Sequence, residues 1–146
     1  MISRSIGMYV QRGCDMSLEN KNALSELRLK KAEEALSDAK MLLNLERYNL
    51  VANRSYYAIF YAMRAVLALD GIDRKHHSAV IAEFRRLYIK TGIFDQEMSD
   101  TIRDLFDLRT DTDYDDFYIA SKEEVSEQVT NADAFISRIR DYLASL

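Results

Sequence analysis

From Ser17 onward the apolar residues of this chain recur every three or four positions, the spacing that gathers side chains on one face of an α-helix. In the first stretch, about Leu18 to Arg47, Ala32, Ala35, Leu36, Ala39, Leu42 and Leu43 share a face. Lys30, Lys31, Glu33, Glu34, Asp38 and Lys40 make the solvated one. A second helix is predicted over about Leu50–Leu69 and ends before Gly71, since glycine takes the left-handed conformation of a helix terminus without steric cost. A third, about His77–Lys90, turns Val80, Ile81, Phe84, Leu87 and Tyr88 inward and stops at Gly92. Asp95 then caps a fourth, whose inner face is Met98, Ile102, Leu105 and Phe106. After Arg109 the period gives way to "TDTDYDDFYIA", which reads as an acidic loop holding aromatic residues. Ser121 with Glu124 is a capping box, and Val125, Val129, Ala132, Ile136, Ile139 and Leu143 follow at helical spacing.

Four long helices and a shorter fifth, joined by short links, predict an all-α fold, an antiparallel up-and-down bundle. Residues 1–15 show no helical period, so they read as a disordered extension ahead of a helical domain over 16–146. The second helix is the central element because apolar positions surround it. Ala52, Ser55, Tyr56, Ile59, Phe60, Met63, Val66 and Leu67 form its core stripe. Arg54, Tyr57, Tyr61 and Arg64 fall on a second stripe. One account of that stripe is an edge where tyrosines cover arginine stems; another is a surface for a second subunit or a phosphate-bearing ligand. Ala68 and Leu69 extend the apolar surface, which predicts a homodimer through this helix.

Composition narrows the classes. A net charge of −4 argues against a protein that coats nucleic acid by bulk electrostatics, while leaving room for a local basic site. The absence of proline and the four glycines disfavour turn-dense β folds. One cysteine, Cys14, permits neither a disulfide within the chain nor a cysteine metal site. His76 and His77 are adjacent and face different ways on a helix, and no Glu-x-x-His occurs, so no metal site and no cofactor are expected. No secretory signal or uncharged apolar span is legible, and the expectation is a cytoplasmic protein without membrane contact.

Arg109 is the polar residue that fits the pattern least. It continues the stripe of Met98, Ile102 and Leu105, which brings a permanent charge to the core-facing side. It either bonds its own helix end and the aspartates at 111, 113, 115 and 116, or serves as an anion clamp at the mouth of the bundle.

Together, "AEEALSDAKMLL", "ANRSYYAIFYAMRAVL", "KHHSAVIAEF", "IKTGIF" and "LRTDTDY" resemble, in order, the small prokaryotic HEPN-domain proteins. The likeness covers about residues 24–143. It implies a helical bundle that dimerises and a partner nucleotidyltransferase in a toxin–antitoxin pair. In one branch it also implies RNA cleavage without a metal. That branch carries Arg, four to six residues, then His. Arg109 matches the Arg, but Tyr114 stands at the shortest spacing and no His follows. The resemblance therefore implies Arg109, Tyr114 and His77 as candidates for catalysis. Arg109, Arg54, Asn53 and Tyr57 are the candidates for holding a phosphate or nucleotide.

In an up-and-down bundle the ends of helices two and four fall together. Asn53 and Arg54, at the start of helix two, then need not meet Arg109 within one subunit, and an antiparallel twofold partner could bring them together. The leading functional reading is a HEPN-type module associated with nucleotide or RNA. The alternatives are a metal-independent endoribonuclease toxin and a non-enzymatic adaptor that binds protein. An unperturbed tyrosine, with a pKa near ~10, is a poor proton acceptor at neutral pH, which weighs against autonomous cleavage.

Overall fold

The computed structural model describes residues 17–146, so the predicted disordered extension over 1–15 lies outside the described residues. Five helices follow: α1 Leu18–Asn44, α2 Tyr48–Leu69, α3 His77–Phe84, α4 Gln96–Tyr114 and α5 Lys122–Ala144. A π-helical turn, Arg85–Ile89, continues α3. Three caps fix helix starts. Ser17 accepts from the Asn20 amide, Asp95 from the Met98 amide, and Ser121 and Glu124 bond reciprocally as a capping box. Gly71 and Gly92 adopt the left-handed conformation, φ 74° and 82°, at the ends of α2 and of the α3 segment.

Two boundaries differ from the sequence reading. α1 ends at Asn44 rather than Arg47, because Glu46 turns left-handed with φ 60° and α2 starts at Tyr48. α4 does not stop at Arg109 but runs through the acidic stretch to Tyr114. Its last turn is held by Thr112 Oγ1 donating to the Arg109 carbonyl and by the i,i+4 charge pair of Arg109 with Asp113.

α2 is the centre, packed against each of the other helices. Val51, Ala52, Tyr56, Ala58, Ile59, Ala62, Met63, Ala65 and Val66 are fully buried, so α2 has core on nearly every side. Its buried alanines leave room for neighbouring helices to pack closely against it. Ala68 is also buried, 3% exposed, inside one chain. Ala68 therefore adds no exposed apolar surface, while Leu69 beside it stays half-buried. No helix among the described residues is long and apolar enough to cross a membrane.

The direction of the helices overturns a second expectation. Lys40 pairs with Asp133 and Glu33 with Arg140, so α1 and α5 run antiparallel. Asn53 meets Asp113, so the start of α2 lies beside the end of α4 in one chain, with no partner needed. Counting α3 as a full traverse gives the wrong parity. An irregular stretch after Gly71 carries the chain back along α2, and His77 packs beside Tyr56 and Phe60. α3 then runs in the same sense as α2, until Tyr88 donates to Asp70 at 2.6 Å.

Candidate functional site

Three elements meet around Arg109: the first turns of α2, the last turns of α4 and the start of α3. One helical turn beyond the buried Leu105, the Arg109 side chain is only 13% exposed. Its Nη2 donates to the Tyr57 hydroxyl at 3.0 Å. The guanidinium carbon lies 5.3, 5.4 and 5.5 Å from the ring centroids of Tyr56, Tyr57 and Tyr114. Three aromatic faces thus stand where water would otherwise solvate the cation.

Arg109 Nε is 2.9 Å from Asp113 Oδ2, yet its N–H is not aimed at that oxygen. The pair is held by charge, and the Nε atom is closed off from solvent. Asp113 also accepts from Asn53 Nδ2 at 3.1 Å. Asn53 in turn accepts from Arg54 Nε and Nη2 at 3.0 and 2.9 Å, and the Arg54 guanidinium lies 5.2 Å from the Tyr57 ring. Asn53, Arg54, Tyr57, Arg109 and Asp113 are therefore one connected network within a single chain.

His77 joins it through Tyr56. The buried Tyr56 hydroxyl is 2.9 Å from His77 Nδ1, and the Phe60 ring is 4.2 Å from the imidazole, centre to centre. Tyr57 stands edge-on to the same imidazole at 5.6 Å. His77 and Arg109 thus share Tyr56 and Tyr57 as common neighbours. Burial, then the positive charges of Arg109 and Arg64, hold the imidazole below its ordinary pKa. Burial chiefly pushes the Tyr56 phenol up. Tyr114 contributes its ring face to Arg109 and is otherwise largely exposed.

Beyond His77 lies a second charged knot. Asp73 Oδ1 accepts from Arg28 Nη2 at 2.8 Å and from Arg64 Nη2 at 2.7 Å. Burial would raise the Asp73 carboxyl, but the bonds and charges of Arg64 and Arg28 more than reverse this and hold it below the usual range. On the opposite side, the loop after α4 displays Phe117 and Ile119, 94% and 82% exposed. Asn49 pins the second half of that loop, donating to the Tyr118 carbonyl and accepting from the Ala120 amide. Among the described residues, no cluster of His, Cys, Asp and Glu has the arrangement of a metal site.

This bundle, with its polar network between α2, α3 and α4, is matched over residues 25–142 by the model of the HEPN domain. The chain therefore belongs to the HEPN-domain family. A UPF0332 protein of Thermotoga maritima is 33% identical over 88% of this chain and 98% of its own length. Two proteins of Methanocaldococcus jannaschii, each named as a putative toxin, are 33% and 30% identical. Both cover 89% of this chain, and the matches span 88% and 98% of their own lengths.

Of the residues singled out in the sequence, Arg109, His77, Tyr57, Asn53, Arg54 and Tyr114 all fall in this one region. The sequence pattern assigns Tyr56 to the core alone, although it links His77 to Arg109. The doubled tyrosine beside Arg54 is its sole sequence signal, since one residue of such a pair must face inward when the other faces the stripe. Asp73 carried no signal, because its partners come from α1 and α2 and only folding joins them.

Proposed function

We propose that this HEPN protein is a toxin-type module that grips a phosphate of RNA or of a nucleotide at Arg109, and that it is primarily a binding module. One observation carries the reading: a nearly buried, permanently charged guanidinium set among three tyrosine rings, whose nearest carboxylate is shared with Asn53. Such a group gains from an anion that accepts from its terminal N–H groups. Arg54 supplies a second cation nearby, and the exposed Tyr114 offers its outer ring face for base stacking. The names of the archaeal relatives support the toxin class. In this reading the protein acts in the cytoplasm, with a nucleotidyltransferase as its antitoxin partner. It works as a homodimer through the α2 stripe of Arg54, Tyr57, Tyr61 and Arg64.

A second reading, metal-independent endoribonuclease, is favoured by the approach of His77 to Arg109 around Tyr56 and Tyr57. Cleavage would need a base to take the proton of the ribose 2′-hydroxyl as that oxygen attacks phosphorus. It would also need an acid to protonate the departing 5′-oxygen. Labelled single-stranded RNA, incubated with the protein in EDTA, separates the two. Binding lost in Arg109→Ala, without cleavage by the wild type, supports the module. Metal-free cleavage abolished in both Arg109→Ala and His77→Ala establishes the nuclease instead. RNA and mononucleotide binding unaffected by Arg109→Ala refutes both.

A further inference from the structure

The contact between Tyr56 and His77 fixes where a proton sits. Two arrangements fit a 2.9 Å separation: the phenol donates to a bare Nδ1, or a protonated Nδ1 donates to the phenol oxygen. The Tyr56 side chain is fully buried, and Nδ1 is the one hydrogen-bond partner of its hydroxyl among the described residues. In the second arrangement the phenolic proton would be buried without an acceptor, a costly state that folded proteins avoid. Burial keeps the phenol from ionising, so its proton is always present and must be placed. The first arrangement follows.

A neutral imidazole carries one N–H, and with Nδ1 accepting, that proton is on Nε2. The ring is hemmed by Phe60 at 4.2 Å and by Tyr57 at 5.6 Å, which oppose any turn that would break the bond. We propose that Tyr56 is a positioning residue that holds His77 as its Nε2–H tautomer, so that the imidazole meets a phosphate oxygen as a hydrogen-bond donor and not as a base. This rests on the phosphate-binding reading of the Arg109 site. Burial and the charges of Arg109 and Arg64 keep His77 neutral at neutral pH, so its contribution is a directed N–H rather than a second charge. Arg109 and His77 then act together on one anion, the first by charge and the second by direction. A site built this way binds phosphate well and abstracts a proton poorly, because the lone pair a base would use is already engaged by Tyr56.

The test is long-range proton–nitrogen correlation on full-length protein with 15N-labelled histidine at neutral pH. The chain has two histidines, His76 and His77, and the spectrum of His77→Gln identifies the signals of His77. The expected pattern is a protonated Nε2 and a pyridine-like Nδ1. In Tyr56→Phe the pattern moves toward a mixture of tautomers, and affinity for a labelled RNA oligonucleotide falls about fivefold, the loss of one ordinary hydrogen bond. A wild type in the Nδ1–H form, or with a charged imidazole, overturns the proposal without any variant. So does a folded Tyr56→Phe whose tautomer is unchanged. A wild type with the Nε2–H tautomer that binds no RNA or nucleotide upholds the positioning by Tyr56 and overturns the phosphate reading.

Discussion

Replacing Asp73 by Asn removes a charge and little else, and the charge is what separates Arg28 from Arg64. Both guanidinium nitrogens contact the same oxygen, at 2.8 and 2.7 Å. They therefore lie within ~5.5 Å of each other, where two unit charges repel by about 3 kcal/mol at an effective dielectric constant of about 20. Water reaches Asp73, whose side chain is 38% exposed, and this screens part of the repulsion. Arg28, at 9%, is nearly closed off from it. A loss of about 2 kcal/mol lies between the values for exposed and fully buried pairs. For a domain of this size that lowers Tm by about 8 °C.

The assay is urea unfolding of wild type and Asp73→Asn across pH. Because the folded carboxyl is held below its unfolded pKa, its stabilisation is complete above the unfolded value, near ~3.9. It is lost as pH falls through the folded value. The gap between the two proteins should therefore be full at pH 7 and close under acid. Removing Arg64 in the Asp73→Asn background should recover part of the loss, since it removes one of the repelling charges. Equal stability at pH 7, or a gap that persists under strong acid, would refute this account of the knot.

Two further outcomes test the frame. Ile59→Ala, in the fully buried centre of α2, should cost about 3 kcal/mol in urea unfolding, because surrounding helices cannot close the space it leaves. Ser121→Ala should cost about 1 kcal/mol by the same measurement and leave RNA binding unchanged, since it removes one half of the capping box of α5 and touches no residue near Arg109.

The helices and most of the core were legible because period and caps are local properties. Every residue assigned to the α2 core stripe, from Ala52 to Leu67, is buried. The acidic end of α4 resembles a loop in the sequence for a physical reason. Asp and Thr are weak helix formers, and a run of them resembles a loop unless a neighbouring turn stabilises it. Here Arg109 and Thr112 do so from within the helix. The relation of α2 to α4 was not legible either, since it depends on the path of a few residues after Gly71 that carry no periodic signal. With that path goes the position of His77. Site residues could be named individually from the stripe and from the HEPN resemblance, but their assembly within one chain is a tertiary fact.

The π-helical turn after α3 holds one residue more than an α-helix would need over the same rise. The Lys90 amide reaches back to the Arg85 carbonyl, five residues earlier. That surplus residue rotates everything downstream by about 100° relative to a regular helix. It trades regular backbone bonding for the aim of Tyr88, whose hydroxyl anchors the segment to Asp70 at the far end of α2. A single deletion between Arg85 and Leu87 would let the backbone relax into ordinary α-helix while swinging the phenol off its target. The surplus residue thus acts as a phase shifter, and the cost of losing it would fall on a contact with α2 rather than on the helix itself.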